Sequence, residues 1–167
     1  MKKSQAARSV LLGLGMMAAA CAMAECDPEE SARWNQRYEL RGSEVYDRTT
    51  DLTWARCPVG MNWQEDSGCL GNPLQVKHTK AMEIPVHPWR VPEVEELKTL
   101  VSPHCKDPIV DQRVFPNTPS IWFYAATRSQ DAYCWRVHFG DGTARTFGHA
   151  YLNCDVTHAV RLVRSGE

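Results

Sequence analysis

The chain has 167 residues, 23% of them charged and 43% hydrophobic, with a formal net charge of −1 at pH 7. That is the make-up of one ordinary globular domain, and it excludes a disordered or fibrous chain. Near-neutral charge also excludes a general nucleic-acid binder, whose counterion-release term needs a net basic face.

The first two dozen residues differ from the rest. Lys2, Lys3 and Arg8 precede an apolar run from Val10 to Cys21, and Ala22-Met23-Ala24 places small residues at the two positions a signal peptidase reads. The run is too short for a membrane span, so residues 1–24 are expected to be a cleaved secretory signal. An alternative makes Cys21 a lipidated N-terminus, although Ala18-Ala19-Ala20 lack the leucine usual in a lipobox. Without that segment 143 residues remain, with 16 bases against 20 acids and six cysteines. At this size folding buries roughly 68–70% of the unfolded surface, enough for one core. Six cysteines in an exported chain predict three disulfides formed in the periplasm, at the cell surface or outside the cell.

From Cys26 to Arg41 the sequence is polar and charge-dense, and residues 25–43 are expected to be a lead-in held loosely except at Cys26. Residues 44–167 then form the domain. Glu44 to Ala55 predicts a hairpin about a Thr49-Thr50-Asp51 turn. Cys57 to Cys69 encloses a turn-rich stretch without periodicity, which a Cys57 to Cys69 bridge would order. Leu74 to Ile84 predicts a short helix. A stronger one is expected from Pro92, with Glu93, Glu95 and Glu96 in the dipole-favoured first turn, Val94, Leu97, Leu100 and Val101 on one face, and Pro103 as terminator. Strands are expected over 121–127, 133–139, 143–147 and 159–164, with Asp141-Gly142 as a hairpin turn. Along the second of these Tyr133, Trp135, Val137 and Phe139 share one face, and Cys134, Arg136 and His138 the other. The order predicts an α+β fold with an antiparallel sheet.

The succession Asp51-Leu-Thr-Trp-Ala-Arg-Cys57, Cys69, Trp89-Arg-Val-Pro-Glu-Val-Glu-Glu-Leu97, Phe115-Pro-Asn-Thr-Pro119 with Trp122, Ala132-Tyr-Cys-Trp135, Phe139-Gly-Asp-Gly142 and Val160-Arg-Leu-Val-Arg164 resembles the bacterial Lcl C-terminal domain family. The resemblance covers roughly residues 44–164. It implies a C-type lectin-like fold, with two helices beside antiparallel strands, long loops that carry binding, and adhesion through sulfated polysaccharides. Trp89, Arg90, Pro92, Phe115, Trp122 and Trp135 stand at the family's motif positions. Trp89 is expected either to line a ligand groove or to pack under the helix, and Arg90 to bond carbonyls or a carboxylate. The chain lacks the Glu-Pro-Asn, Gln-Pro-Asp and Trp-Asn-Asp type segments of calcium-dependent lectins, so no lectin-type calcium site is expected.

Cys134-x3-His138 and Cys154-x3-His158 match a two-sulfur, two-nitrogen zinc pattern. Export favours a Cys134 to Cys154 disulfide instead, so neither metal nor cofactor is expected. The other pairings expected are Cys57 with Cys69 and Cys26 with Cys105, among several that six cysteines permit. The sequence lacks G-x-S-x-G, H-E-x-x-H and phosphate-binding glycine motifs, and no enzymatic activity is expected. A copper oxidase resting on a reducible Cys134 and Cys154 ranks last.

Charge is uneven: 10 bases and 16 acids lie from Glu25 to Asp111, but 6 bases, 4 acids and three histidines from Gln112 onward. Arg136, His138, Arg145 and His149, with Arg161 and Arg164 nearby, are therefore the candidate ligand-binding cations. The expected function is a non-catalytic exported module that recognises an anionic glycan. The alternative is a structural or accessory subunit of a pilus or envelope assembly that binds protein. Titration of denatured, unreduced protein is expected to find no free thiol; four thiols with bound metal would overturn the disulfide assignment.

Overall fold

The computed structural model of the chain describes residues 25–128, 134–140 and 154–166. In chain order the elements are β1 (Glu25–Cys26), α1 (Pro28–Asn35), β2 (Tyr38–Arg41), β3 (Glu44–Asp47), β4 (Leu52–Ala55), β5 (Asn62–Gln64), β6 (Gly68–Leu70), α2 (His78–Glu83), α3 (Val94–Lys98), β7 (Cys105–Lys106), β8 (Trp122–Arg128), β9 (Cys134–His138) and β10 (Val163–Ser165). The fold is α+β, with antiparallel sheets ordered β10-β4-β3-β2, β8-β9, β5-β6 and β1-β7.

The β3–β4 hairpin forms where the alternation predicts it. Asp51 closes the turn at φ 54°, a left-handed conformation that short polar side chains tolerate. One face of this sheet meets β8–β9 in the main core, where Val45, Trp54, Leu97, Phe115, Phe123 and Phe139 are buried. Each such side chain contributes roughly 1.5–3 kcal/mol. Period-2 alternation then divides β8–β9 between two apolar clusters. Phe123 and Val137 enter the main core, whereas Tyr124 and Cys134 join a second cluster with Ala81, Val91 and Val160. Both faces of this sheet are therefore covered.

The stretch 26–41 is more ordered than its polarity predicts. Asp27 caps α1 by accepting from the backbone N–H groups of Glu29 (3.1 Å) and Glu30 (2.9 Å), with Pro28 in the first turn. α1 makes a third helix where two were expected, and β2 is the edge strand of the main sheet. The reason is tertiary. Cys26 is bonded to Cys105, Arg37 holds the fully buried Asp47 carboxylate, and Asp111 gathers Ser31, Asn35 (2.7 Å) and Arg113 (2.8 Å) around a buried carboxylate.

Other differences are local. α3 begins at Val94 because Glu93 is its N-cap, with Glu96 accepting from the Glu93 N–H (2.7 Å). Pro92 lies outside the helix and its carbonyl accepts from Ala126 N–H (2.7 Å), which docks the helix start onto β8. The Cys57–Cys69 stretch contains the β5–β6 hairpin beneath its disulfide. Of the strand expected over 159–164, only Val163–Ser165 pairs regularly, with β4; Ala159 makes a single parallel bridge to Phe123. The strand expected at 143–147 and the Asp141-Gly142 turn lie outside the described residues.

Burial alone would raise the Asp111 pKa. Hydrogen bonds from Arg113, Ser31 and Asn35 outweigh it and hold the carboxyl at about 2, against 3.8 ordinarily. A depressed carboxyl stabilises the fold above its unfolded pKa and loses that contribution as pH falls from about 4 to about 2, here about 2 kcal/mol. Asp111→Asn is expected to cost at least about 2 kcal/mol at pH 7 and to flatten the acid limb of the stability curve over that window, as read by denaturant melts.

Candidate functional site

Antiparallel register sets Trp122 opposite His138 and Tyr124 opposite Arg136, so these four share the face that also carries Cys134. The segment following Cys154 lies over this face. It is fixed by the Cys134–Cys154 disulfide and by Tyr124 Oη, which donates to the carbonyls of Val156 and Cys154. Residues four beyond each bonded cysteine then flank one indole: the rings of His138 and His158 lie 4.7 and 6.4 Å from Trp122. The Cys-x3-His repeat thus organises a histidine–tryptophan cluster about a disulfide.

Arg136 is the centre of this cluster. Its guanidinium lies 4.3 Å from the Trp122 ring centroid, a cation–π geometry, and its Nη1 donates to His158 Nε2. The side chain is 6% exposed rather than solvated as the alternation suggests, because the 154–160 segment covers a face that antiparallel sheets commonly leave to water. Burial lowers the Arg136 pKa, and the counteracting influence is Tyr124, not a carboxylate. Among the described residues no acid pairs with Arg136. Burial, followed by the neighbouring Arg136 charge, pushes His158 down to about 4, so His158 is neutral at pH 6 and accepts at Nε2. His138 is half-buried, and its Nδ1 accepts from Gly140 N–H (3.2 Å). A Cβ at Gly140 would lie 2.5 Å from His138 Cε1, so only glycine admits this contact.

The remaining candidate cations do not all converge. Arg145 and His149 lie outside the described residues. Arg161 is wholly buried and bonds the carbonyls of Ala55 (2.8 Å) and Arg56 and the Thr118 hydroxyl (2.6 Å). Arg164 pairs with Glu44 (2.9 Å).

The motif positions divide between packing and surface. Phe115 is buried, Trp135 packs against the main core, and Arg90 forms a bidentate pair with Glu96 (2.6 Å for each bond). Trp89, half-buried, lines a groove of about 340 Å³ with Trp63, Glu44, Val59 and Leu162. Trp63 also lines a second groove of about 480 Å³ with Leu40, Arg56, Glu65 and Asp66. His158 and Trp63 are the site residues that sequence reasoning did not select for binding. The repeated Cys-x3-His spacing was the signal for the first.

Comparison with protein families finds that the model of the Lcl C-terminal domain matches residues 43–164. The chain belongs to this family. Neither the curated proteins nor the solved structures include a match to it. The matched stretch of this Lcl C-terminal domain holds the Arg136 cluster, β3 to β9 and all but the last residue of β10, whereas β1, α1 and β2 precede it.

Because the His158 pKa is depressed, its contribution to stability is present above the unfolded value near 6.5 and is lost as pH falls toward 4, where the unfolded chain binds the proton first. In the Lcl C-terminal domain the His158 ring resonances are expected not to titrate above about pH 5, and stability is expected to fall by about 3 kcal/mol between pH 6.5 and 4. His158→Phe is expected to remove that slope.

Proposed function

We propose that the protein is an exported, non-catalytic binding module of the C-type lectin-like kind, which recognises an anionic glycan in adhesion. The observation that carries this reading is Arg136, a guanidinium buried against Trp122 with no carboxylate partner among the described residues. A buried cation without an anion is costly, and a sulfate or uronate group would supply the missing partner through charge-assisted, planar hydrogen bonds. Export is supported by the signal-like N-terminus and by three disulfides. Among the described residues no helix is long and apolar enough to cross a membrane. A non-catalytic role is supported by the strongly displaced groups: Asp111, His158 and Arg161 are engaged in internal bonds, and the Tyr38 hydroxyl is buried in the main core.

An envelope protein as partner is the second reading. It is favoured by Leu40, 52% exposed on the edge strand β2, since edge strands accept further strands.

Titration with a heparin-derived oligosaccharide tests the first reading. Affinity is expected to weaken steeply with salt and to fall about tenfold in Arg136→Met. The same variant is expected to stay folded, because the methionine removes an uncompensated charge while filling its space, and the loss of the donor to His158 costs only part of that gain. Salt-independent binding, or undiminished binding by a folded Arg136→Met, would overturn the anionic reading. Capture of one envelope protein without any glycan binding would favour the second.

A further inference from the structure

We propose a second binding site, for uncharged saccharide chains, in the two adjoining grooves that share Trp63. It lies on β3–β6 and the Trp89 segment, and uses none of the residues of the Arg136 cluster.

The two indoles are held in place before any ligand arrives. Trp63 stands opposite Cys69 in the β5–β6 register, on a hairpin closed by the Cys57–Cys69 disulfide. The hairpin is seated on the 115–119 turn. Asn117 Nδ2 donates to the carbonyls of Ser67 (3.2 Å) and Cys69 (2.8 Å), and Gly68, at φ 74°, lies so near Pro116 that a Cβ would approach within 2.7 Å. Arg56 backs the Trp63 ring at 4.2 Å from its centroid, and is itself fixed by the carbonyls of Val114 (2.8 Å), Gly42 (2.8 Å) and Arg113 (3.1 Å). Trp89 is backed in the same way by Arg164 at 5.5 Å, which is tied to Glu44. Each tryptophan therefore has a guanidinium on its ring and is half-buried, which fixes the indole while leaving surface for a ligand. Preorganisation of this kind lowers the ordering cost of binding.

The chemistry of the walls selects the ligand class. Indole faces attract the weakly positive C–H face of a pyranose, and both groove volumes fall within the roughly 300–1,000 Å³ of small-ligand sites. Glu65 and Asp66 are exposed beside Trp63 in the larger groove, and Glu44 lines the smaller one, where its pairing with Arg164 leaves the wall close to neutral. Carboxylates accept hydrogen bonds from sugar hydroxyls and repel sulfates and uronates. Arg56 sets one positive charge against the carboxylates of Glu65 and Asp66 and its N–H groups are already taken by three carbonyls, so the larger groove keeps a net negative lining. The grooves therefore suit a chain of neutral sugars, the opposite electrostatic choice from that of Arg136.

The test uses the whole secreted protein with two probes, an uncharged β-linked hexasaccharide of glucose or N-acetylglucosamine and a heparin-derived hexasaccharide. The uncharged probe is expected to shift the indole N–H resonances of Trp63 and Trp89 in the unmodified protein, with an affinity that changes little between about 0.1 and 1 M salt. Trp63→Ala and Trp89→Ala are each expected to weaken it about tenfold or more, while Arg136→Met leaves it unchanged. If uncharged saccharides leave both indoles unshifted, the second site is overturned whatever the heparin probe does. If Trp63→Ala weakens only heparin binding, a single anionic site spans both regions and the proposal also falls. Binding of a proline-rich peptide at Trp63 without any saccharide overturns it as well. Uncharged-probe binding without heparin binding supports the second site and counts against the Arg136 reading alone.

Discussion

Arg161 is wholly buried, and the arrangement of three separate stretches of chain depends on how its charge is accommodated. Nη1 donates to the carbonyls of Ala55 and Arg56 at the end of β4, and Nη2 to the Thr118 hydroxyl in the 115–119 turn. The guanidinium also lies 4.9 and 5.8 Å from the Phe115 and Phe123 ring centroids. Burial lowers its pKa to about 9, so it stays protonated at neutral pH and each donor needs an acceptor. Carbonyl dipoles and one hydroxyl meet the two terminal nitrogens, whereas the buried Nε has no partner among the described residues. The same bonds satisfy irregular backbone that would otherwise be buried without partners, and long loops stay fixed against a small core.

Other guanidiniums follow one of two patterns. Arg56 repeats the carbonyl solution, whereas Arg37 and Arg113 pair with the buried acids Asp47 and Asp111. Arg136 fits neither pattern. It is as buried as Arg56, yet its hydrogen-bond partner is a neutral imidazole and its flat face rests on an indole. A count of basic residues weights all five alike. Their environments separate them into four guanidiniums held by carbonyls or carboxylates and one that has neither among the described residues.

Much of the frame was legible in the sequence, because it rests on local rules. The β3–β4 hairpin, the face assignments along β9 and the Cys57–Cys69 closure all follow from alternation, turn residues and loop length. The misreadings share one cause, tertiary cover that local patterning does not encode. α1 and β2 looked like a polar lead-in since their anchors, Asp47, Cys105 and Asp111, lie up to 80 residues away along the chain. The cover over Arg136 was not legible either, because the 154–160 segment that supplies it follows β9 only after a long connection. Trp63 carried no periodic signal at all, as its position depends on a three-residue strand and on Arg56 being held by remote carbonyls.

The N-terminal unit joins the stability of the fold to the shape of the site. The family match begins at residue 43, yet the larger groove beside Trp63 takes Leu40 and Gly42 from the preceding stretch. The Gly42 carbonyl is one of the three that orient Arg56, and Arg56 in turn backs the indole. The anchors of that stretch are the Cys26–Cys105 disulfide and the Asp111 cluster, neither of which touches the groove. The wall of the larger groove and the orientation of Arg56 thus depend on a stretch anchored elsewhere, by that disulfide, by the Asp111 carboxylate and by the Arg37–Asp47 pair.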